Sequence, residues 1–255
     1  GLGYFGMPHV LLRFMAIEDA KKLKLSRRVA TTWVVISLAV AVLIGVVGLG
    51  MTAAGEFDLL EGSASETIIV QIADLLSKHG VIAAILAGLI LAGILASTMS
   101  TADSQLLAAS SAVSSDLLGS ILKDKETKKE SMVADKITLL LIAVVAMFIA
   151  RDPNSSVFTI VSFAWAGFGA VFGPVVLLAL FWRRSNWQGA LAGMICGGSM
   201  VFIWKYGIST LGGAWGIYEL LPAFLLAIAA NIIVSLITKA PSKEITDEFD
   251  LVNQK

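Results

Sequence analysis

Long apolar stretches alternate with short polar connections along almost the whole chain. Stretches nearly free of charged residues lie at about 29–51, 80–107, 156–182, 186–206 and 218–238. A helix needs roughly 20 residues to cross a hydrocarbon core of about 30 Å. Each of these stretches is therefore long enough to form one membrane-crossing helix, and the core of a soluble domain requires no such lengths.

Two further segments complete the predicted fold. Residues 133–150 form a sixth span if Lys136 extends its ammonium group toward the membrane surface. Residues 1–16 form the second half of a broken seventh helix. The predicted fold class is thus an all-α integral membrane protein, a helix bundle of six full transmembrane helices plus that half-helix. All of them belong to a single transmembrane domain over residues 1–238.

The basic residues indicate how the chain crosses the membrane. One set of alternate connections contains fifteen lysines and arginines, whereas the other set contains three. Cytoplasmic loops carry the excess of basic residues in membrane proteins. The pattern predicts a multi-pass protein of the plasma membrane with a cytoplasmic C-terminal tail at 239–255.

Composition excludes several further classes of partner and site. The chain is 57% hydrophobic and 15% charged, with mean hydropathy +0.84. Its net charge is zero, which argues against nucleic acid as a partner. Cys196 is the single cysteine, so a disulfide framework and a CxxC metal site are excluded. Because Gly1 stands inside what reads as the middle of a motif, we expect part of the protein to be missing from this chain.

The acidic connection between the first two long stretches contains an amphipathic pattern. Ser63 and Glu66 have the spacing of a capping box, in which each residue satisfies a backbone N–H at a helix start. One helical face then carries the apolar residues Ile68, Ile69, Ile72, Leu75 and Leu76. We predict a short helix at about 65–77 that lies over the extracellular mouth.

A cluster of hydroxyl groups marks the span at 80–107. Ser97, Ser100, Thr101 and Ser104 fall on one face about 100° wide, and Asp103 borders that face. Hydroxyl, carboxylate and carbonyl oxygens are hard ligands suited to sodium, and an acidic residue near a span often marks an ion path. The alternative is that the hydroxyls hydrogen-bond within their own helix or to a neighbouring helix. For Ser100 and Thr101 the pattern favours an ion site.

The opening run GLGYFGMPH is poorly suited to a regular helix. Glycine weakens a helix interior, and Pro8 has no N–H to donate. Irregular backbone at membrane depth survives where it faces protein or a water-filled cavity, and such breaks form transporter binding sites. Tyr4 would then offer its ring and hydroxyl to a substrate. The alternative is an interfacial tyrosine followed by a proline at a helix end.

Small residues recur at four-residue spacing in three spans. Such ridges allow two helices to approach closely, and we expect packing rather than ligand binding from them. They are Gly169 and Gly173; Gly189, Gly193 and Gly197; and Ala84, Gly88, Ala92 and Ala96.

The chain closely resembles the second half of members of the sodium:solute symporter family. Four runs carry the likeness, which extends from residue 1 to about residue 243: GLGYFGMPHVLLRFMAI, ILASTMSTADSQLLAASSAVSSDL, FAWAGFGAVFGPVVLLALFW and GALAGMI. The resemblance implies a leucine-transporter fold of thirteen helices. This chain would supply the tail of helix 7 through helix 13, which is the second inverted repeat plus two extra C-terminal helices.

The resemblance also implies a sodium site. By that likeness the hydroxyls of Ser100 and Thr101 bind the main sodium ion, and the backbone carbonyl of Ser97 completes this side of the site. Certain relatives use the positions of Asp103 and Ser104 for a second sodium, so these two residues are weaker candidates. Further ligands would come from a helix outside this chain.

A substrate site is implied in the opening segment. Tyr4 and Pro8 occupy positions tied to substrate in the family, and Gly3 and Gly6 belong to the same irregular backbone. The expected activity is sodium-coupled symport of a small amino acid, first of all L-proline, into the cell by alternating access. Sodium is the co-transported ion, and we expect no organic cofactor. The other expected partners are the lipid bilayer and the missing N-terminal half.

Three alternatives stay open. The protein could transport another small organic solute of the same family, or it could be a passive channel. A pore predicts polar residues on several spans, but the hydroxyl groups concentrate on one. A third alternative is a structural membrane subunit. An enzyme is disfavoured because the spans contain neither an HExxH motif nor paired carboxylates.

Overall fold

The structure is a computed structural model that describes residues 1–113, 128–151 and 156–253. The described residues form helices joined by turns and short irregular segments. In chain order the α-helices are α1 (Pro8–Met15), α2 (Leu23–Ala53), α3 (Ile68–Ser77), α4 (Val81–Ser111), α5 (Lys128–Ile149), α6 (Val157–Phe181), α7 (Trp187–Ile203), α8 (Leu220–Ile237) and α9 (Lys243–Asn253).

Helices stand at all the positions where spans are predicted. Within the described ranges, five are long and apolar enough to cross a membrane: Ala20–Ala53, Val81–Ser111, Val157–Phe181, Trp187–Leu211 and Leu220–Ile237. The sixth predicted span, 133–150, lies within α5, and its crossing of the membrane stays a prediction. The all-helical membrane class is confirmed, whereas the full count of crossings is not tested.

The chain divides into two compact units. Unit 1 consists of Gly1–Leu23 and Phe158–Lys255, and unit 2 consists of Lys24–Val157. The core of unit 1 joins α6, α7 and α8 through buried apolar side chains: Ala166, Ala170, Val201, Leu220, Ala223 and Phe224. Phe5 from the opening segment packs against this core, which brings that segment onto the helices of unit 1.

Glycines bring α7 and α8 into close contact in unit 1. The predicted ridge of α7 is buried and faces Ala227, Asn231 and Ser235 of α8. A Cβ atom added at Gly193 would lie 3.0 Å from the carbonyl oxygen of Ala227. The packing role predicted for this ridge is therefore confirmed.

A buried polar cluster fastens the start of α7 to the end of α8. The side-chain oxygen of Asn186 accepts from the N–H of Gly189 at 2.8 Å and caps α7. The amide nitrogen of Asn186 donates to Thr238 Oγ1 and to the carbonyl of Lys239, both at 2.8 Å. Ser235 Oγ donates to Asn186 Oδ1 at 3.3 Å. Asn186 thus hydrogen-bonds both to the start of α7 and to the chain that follows α8.

In unit 2 the short amphipathic helix α3 contacts α4. Its five predicted apolar residues are all half-buried, and Ala73 on the same helix is buried. Gly48 of α2 lies directly beneath Ile68, where a Cβ atom would clash with that side chain. The structure has a helix here that begins at Ile68 and not at residue 65, and its position over the extracellular mouth stays a prediction.

The predicted capping box is wrong. A 3-10 turn, Gly62–Thr67, precedes α3, so Ser63 and Glu66 do not stand at the start of an α-helix. The Glu66 carboxylate accepts instead from Ser156 Oγ at 2.6 Å and from the N–H of Val157 at 2.9 Å. It therefore satisfies donors at the first turn of α6, where a negative charge also interacts favourably with the helix dipole.

We expect Gly197→Ala to destabilise unit 1. The added Cβ would lie 2.9 Å from the carbonyl carbon of Ala170 and 3.0 Å from Ala227 Cβ. Forcing these helices apart should cost about 1 to 3 kcal/mol in the free energy of unfolding, measured by thermal unfolding in detergent.

The matched control is Gly167→Ala. Among the described residues, a Cβ atom there meets no heavy atom within 4 Å, and alanine favours a helix over glycine. Equal melting temperatures for Gly197→Ala and the wild type would contradict the packing.

Candidate functional site

The hydroxyl cluster predicted to bind sodium lies on α4 in unit 2. The helix is regular from Val81 to Ser111. Ser100 Oγ donates to the carbonyl of Ser97 at 3.0 Å, and Thr101 Oγ1 donates to the same carbonyl at 3.3 Å. All three residues are exposed on unit 2. The structure thus brings together the three predicted residues around one carbonyl oxygen.

These hydrogen bonds define what the cluster can offer a cation. A hydroxyl that donates its proton still has lone pairs on its oxygen. Ser100 and Thr101 therefore retain acceptor oxygens for a hard cation. The Ser97 carbonyl accepts from both hydroxyl groups in addition to the N–H of Thr101 in the regular helix, so its lone pairs are engaged. At least one hydroxyl must turn its proton away before this carbonyl can bind sodium.

The weaker candidates for a second ion differ from each other in their bonding. Ser104 Oγ donates to the carbonyls of Ser100 and Thr101, both at 3.0 Å. Asp103 is exposed and lies about 100° around the helix from Ser104. Their side chains therefore point in different directions from α4, and one ion between them would need ligands from elsewhere.

The helix also shows the alternative use of serine. Ser110, near the end of α4, is buried and donates to the carbonyl of Asp135 in α5 at 2.8 Å. This hydroxyl joins two helices, as interhelical hydrogen bonds do in membrane proteins. Ser100 and Thr101 bond within their own helix and Ser110 bonds to a neighbouring one, so both forms of the alternative are present, and Ser100 and Thr101 differ from Ser110 in being exposed.

The opening segment has the irregular backbone that its glycines and proline predict. Tyr4–Gly6 forms a 3-10 turn, and Met7 is extended with φ −83° and ψ 118°. Pro8 then stands at the first position of α1, where its missing N–H would have no partner in the helix anyway. Pro8 therefore begins a helix in this structure rather than bending one.

Glycines hold this segment against α6 in unit 1. A Cβ atom at Gly3 would lie 2.5 Å from the Trp165 ring, and one at Gly6 would lie 2.8 Å from the N atom of Gly173. From the other side, a Cβ at Gly169 would lie 2.5 Å from Gly3 Cα. The Gly169 and Gly173 pair is confirmed as a close-packing motif, and its partner is the opening segment.

Trp165 is a neighbour of the predicted substrate segment that the sequence reasoning missed. Its ring centroid lies 6.0 Å from that of Tyr4, with the two planes inclined at 45°. The signal was present, since Trp165 precedes Gly169 and Gly173 at the same four-residue spacing and so shares their helical face. Tyr4 is 53% exposed, so the pair presents aromatic surface beside a closely packed backbone.

The two predicted sites lie in different units. Gly3, Tyr4, Gly6 and Pro8 belong to unit 1, whereas the α4 hydroxyls belong to unit 2. In unit 1 the two glycines are buried, while Tyr4 and Pro8 are exposed. The glycines therefore position the segment, and Tyr4 and Pro8 are the residues accessible to a ligand.

The fold and these features define a class. This is a multi-pass helical membrane protein in which an irregular segment packs on a glycine-rich helix and hydroxyl oxygens line one face of another helix. A family model for the sodium:solute symporter family matches residues 1–197. The chain belongs to the sodium:solute symporter family.

Several curated relatives are similar over nearly the whole chain. The osmoregulated proline transporter OpuE of Bacillus subtilis is 42% identical over 95% of this chain and 47% of its own length. The high-affinity proline transporter PutP of Bacillus subtilis is 40% identical, over 98% and 50%. The sodium/proline symporter of Escherichia coli is 38% identical, over 98% and 48%. The chain therefore spans about half the length of these relatives. No solved structure matches it significantly.

Proposed function

We propose that the complete protein carries out sodium-coupled symport of L-proline into the cell by alternating access, and that this chain supplies the second half of its helices. The observation that carries this proposal is 38–42% identity to three relatives named as proline transporters, each over at least 95% of this chain. Another small solute of the family is the nearest alternative substrate.

The sodium ion would bind at Ser97, Ser100 and Thr101. In support, two hydroxyl oxygens with free lone pairs stand about one helical turn after Ser97, whose carbonyl accepts from both, on an exposed face of α4. On binding, sodium would turn the hydroxyl protons of Ser100 and Thr101 away from the Ser97 carbonyl. The two hydroxyl oxygens and the carbonyl oxygen would then bind the ion. Because α4 offers about three oxygens and a hard cation such as calcium takes six to eight, the other ligands would come from outside this helix.

The substrate would bind at the opening segment. Tyr4 supplies an exposed aromatic face and a hydroxyl, and Trp165 lies beside it. The apolar ring of proline can pack on such an aromatic surface, while the Tyr4 hydroxyl can donate to its carboxylate. Gly3 and Gly6 keep the segment in place, and Pro8 begins the helix that follows it.

The membrane potential would supply much of the driving force. Each sodium ion that enters a cell at −100 mV contributes about 2.3 kcal/mol. That corresponds to roughly fiftyfold accumulation of substrate. The predicted orientation, with the tail at 239–255 in the cytoplasm of a plasma-membrane protein, belongs to the same proposal and is supported by the distribution of basic residues.

Uptake of labelled proline by proteoliposomes that contain the complete protein tests the function. We expect accumulation under an inward sodium gradient and its loss when potassium replaces sodium. Proline flux that equilibrates without a sodium gradient would contradict symport and favour a passive pore. Sodium-driven uptake of a different solute, without proline uptake, would reassign the substrate within the family.

Ser100→Ala and Thr101→Ala, in the complete protein, should each raise the sodium concentration for half-maximal uptake about tenfold or more. Each change removes one oxygen ligand, which costs on the order of 1 to 3 kcal/mol. Sodium titrations of initial uptake rates measure this. Asp103→Asn should lower the Hill coefficient for sodium only if Asp103 helps to bind a second ion.

Leu95→Ala provides the control for the sodium site. Leu95 is exposed and lies about 160° around α4 from Ser97, so its truncation should leave the sodium dependence unchanged. An unchanged sodium dependence in both hydroxyl variants would show that the ion binds elsewhere.

Tyr4→Phe should weaken the apparent affinity for proline roughly two- to twentyfold, because it removes one hydrogen bond and keeps the ring. Tyr4→Ala should weaken it further, since the aromatic surface is lost as well. Concentration dependence of proline uptake measures both. Wild-type kinetics in Tyr4→Ala would mean that Tyr4 is an interfacial residue with no part in binding.

A further inference from the structure

The C-terminal helix α9 is amphipathic. Thr246, Phe249 and Asp250 are half-buried against unit 1. Beside that face, Ile245 and Val252 are 56% and 71% exposed. With Phe249 they form a stripe that covers about 60° of the helix, called here the apolar stripe.

The opposite side of α9 is acidic. Glu244 and Asp247 are exposed and fall on the side away from the apolar stripe, and Glu248, also exposed, lies between them and Val252. Leu251 also lies on that side. An exposed apolar edge next to an acidic edge is the pattern of a helix that lies between hydrocarbon and water.

The chain that leads into α9 is fixed at the level where α8 ends. Five residues separate Ile237, the last residue of α8, from Lys243. Arg184, in the turn between α6 and α7, donates to the carbonyl of Thr238 at 2.9 Å, and Asn186 donates to the carbonyl of Lys239. The start of α9 is therefore held close to the end of a membrane-spanning helix.

The far end of α9 is held at the same level. Arg183 follows Phe181, the last residue of α6, by two positions. Its Nε and Nη2 atoms donate to the two carboxylate oxygens of Asp250 at 2.9 and 2.8 Å. A helix of this length extends about 16 Å, and both of its ends are anchored where spans end. The axis of α9 therefore runs along the membrane boundary.

The ion pair is present at neutral pH. The guanidinium of Arg183 lowers the pKa of Asp250 below its ordinary value of 3.8, and Asp250 raises the pKa of Arg183. A lowered carboxyl pKa means that the pair contributes fully above about pH 4 and is lost as the pH falls through the lowered value. Water reaches both side chains, which are 57% and 41% exposed, so salt weakens the attraction.

We infer that α9 is an interfacial helix whose apolar stripe inserts between the lipids beside α6 and α8. Phe181 and Ile237, the last residues of these spans, are 76% and 77% exposed, so apolar surface extends to the two places where α9 is anchored. The acidic side of α9 faces water. The Arg183–Asp250 pair sets the rotation of the helix about its axis, which directs the stripe into the bilayer.

The charge of α9 indicates whether headgroup charge or apolar insertion would bind it to the membrane. Residues 243–252 of this helix include one lysine and four acidic residues: Lys243, Glu244, Asp247, Glu248 and Asp250. Anionic headgroups would repel this helix, in contrast to basic amphipathic helices that they attract. Insertion of apolar side chains must therefore supply the binding. The inference rests on the spanning helices and is independent of the proposed transport activity.

Spin labels on α9 test the inference in the complete protein, with Cys196→Ser as background, in phosphatidylcholine vesicles. Labels at Ile245→Cys and Val252→Cys report the stripe, and labels at Glu244→Cys and Asp247→Cys report the acidic side. Collision rates with oxygen, which concentrates in lipid, and with a water-soluble nickel chelate are compared. We expect a ratio of oxygen to nickel collisions about threefold or more higher at the stripe, because the stripe is in hydrocarbon.

Two results would overturn the insertion. Equal nickel collision rates at all four positions would place the stripe in water. Shielding of the stripe from both reagents would mean that protein, such as a second copy, covers it. Adding phosphatidylglycerol should leave the stripe ratio equal or lower, and an increase would contradict insertion driven by apolar contact.

The ion pair is tested on the Val252→Cys label. Asp250→Asn or Arg183→Gln should lower its oxygen-to-nickel ratio toward that of the acidic side, as high salt should. Glu248→Gln is the matched control, since it removes one charge from α9 away from Arg183 and should leave the ratio unchanged. An unchanged ratio in both ion-pair variants would contradict the role assigned to this pair in orienting α9.

Discussion

Backbone N–H and C=O groups inside a bilayer need hydrogen-bond partners within the protein, because hydrocarbon offers none. The long helices of this chain satisfy that requirement internally, and their apolar side chains can then face lipid. The opening segment is the exception. Its 3-10 turn bonds the N–H of Gly6 to the carbonyl of Gly3 at 3.1 Å, and Met7 is extended. Such backbone is tolerated because it lies against α6.

Close approach through glycine is what makes that arrangement possible. Between helices in a membrane the hydrophobic effect is weak, so association depends on van der Waals contact over small residues. Gly3 and Gly169 meet nearly backbone to backbone, and the ridge of α7 meets α8 in the same manner. The same packing leaves Tyr4 exposed beside Trp165. The contacts that stabilise unit 1 therefore also display the residues proposed to bind substrate.

Polar groups in this protein act where apolar packing stops. On α4, Ser100 and Thr101 donate to a carbonyl of their own helix, which lets hydroxyl oxygens stand on an apolar span and retain lone pairs for a cation. At the membrane boundary, Asn186 and Arg183 instead join residues from separate helices. The first arrangement suits a site that must open to bind an ion. The second suits the ends of spans, where chain direction changes.

The amino-acid sequence by itself determined the helical membrane class, the positions of the long spans, the irregular segment at Tyr4 and the small-residue packing faces. The packing faces are confirmed for the glycines of α6 and α7, whereas Ala84, Gly88, Ala92 and Ala96 of α4 are exposed on unit 2. The confirmed features depend on local patterns of hydropathy, glycine and proline, which act within one element. The motifs of the sequence resemble the sodium:solute symporter family, and the family model over residues 1–197 shows the same membership. Only the tertiary structure showed that Glu66 caps α6, that Trp165 lies against Gly3, and that Asp250 pairs with Arg183. Each of these contacts joins residues far apart in the chain, and a local pattern does not specify which distant partner a side chain will meet.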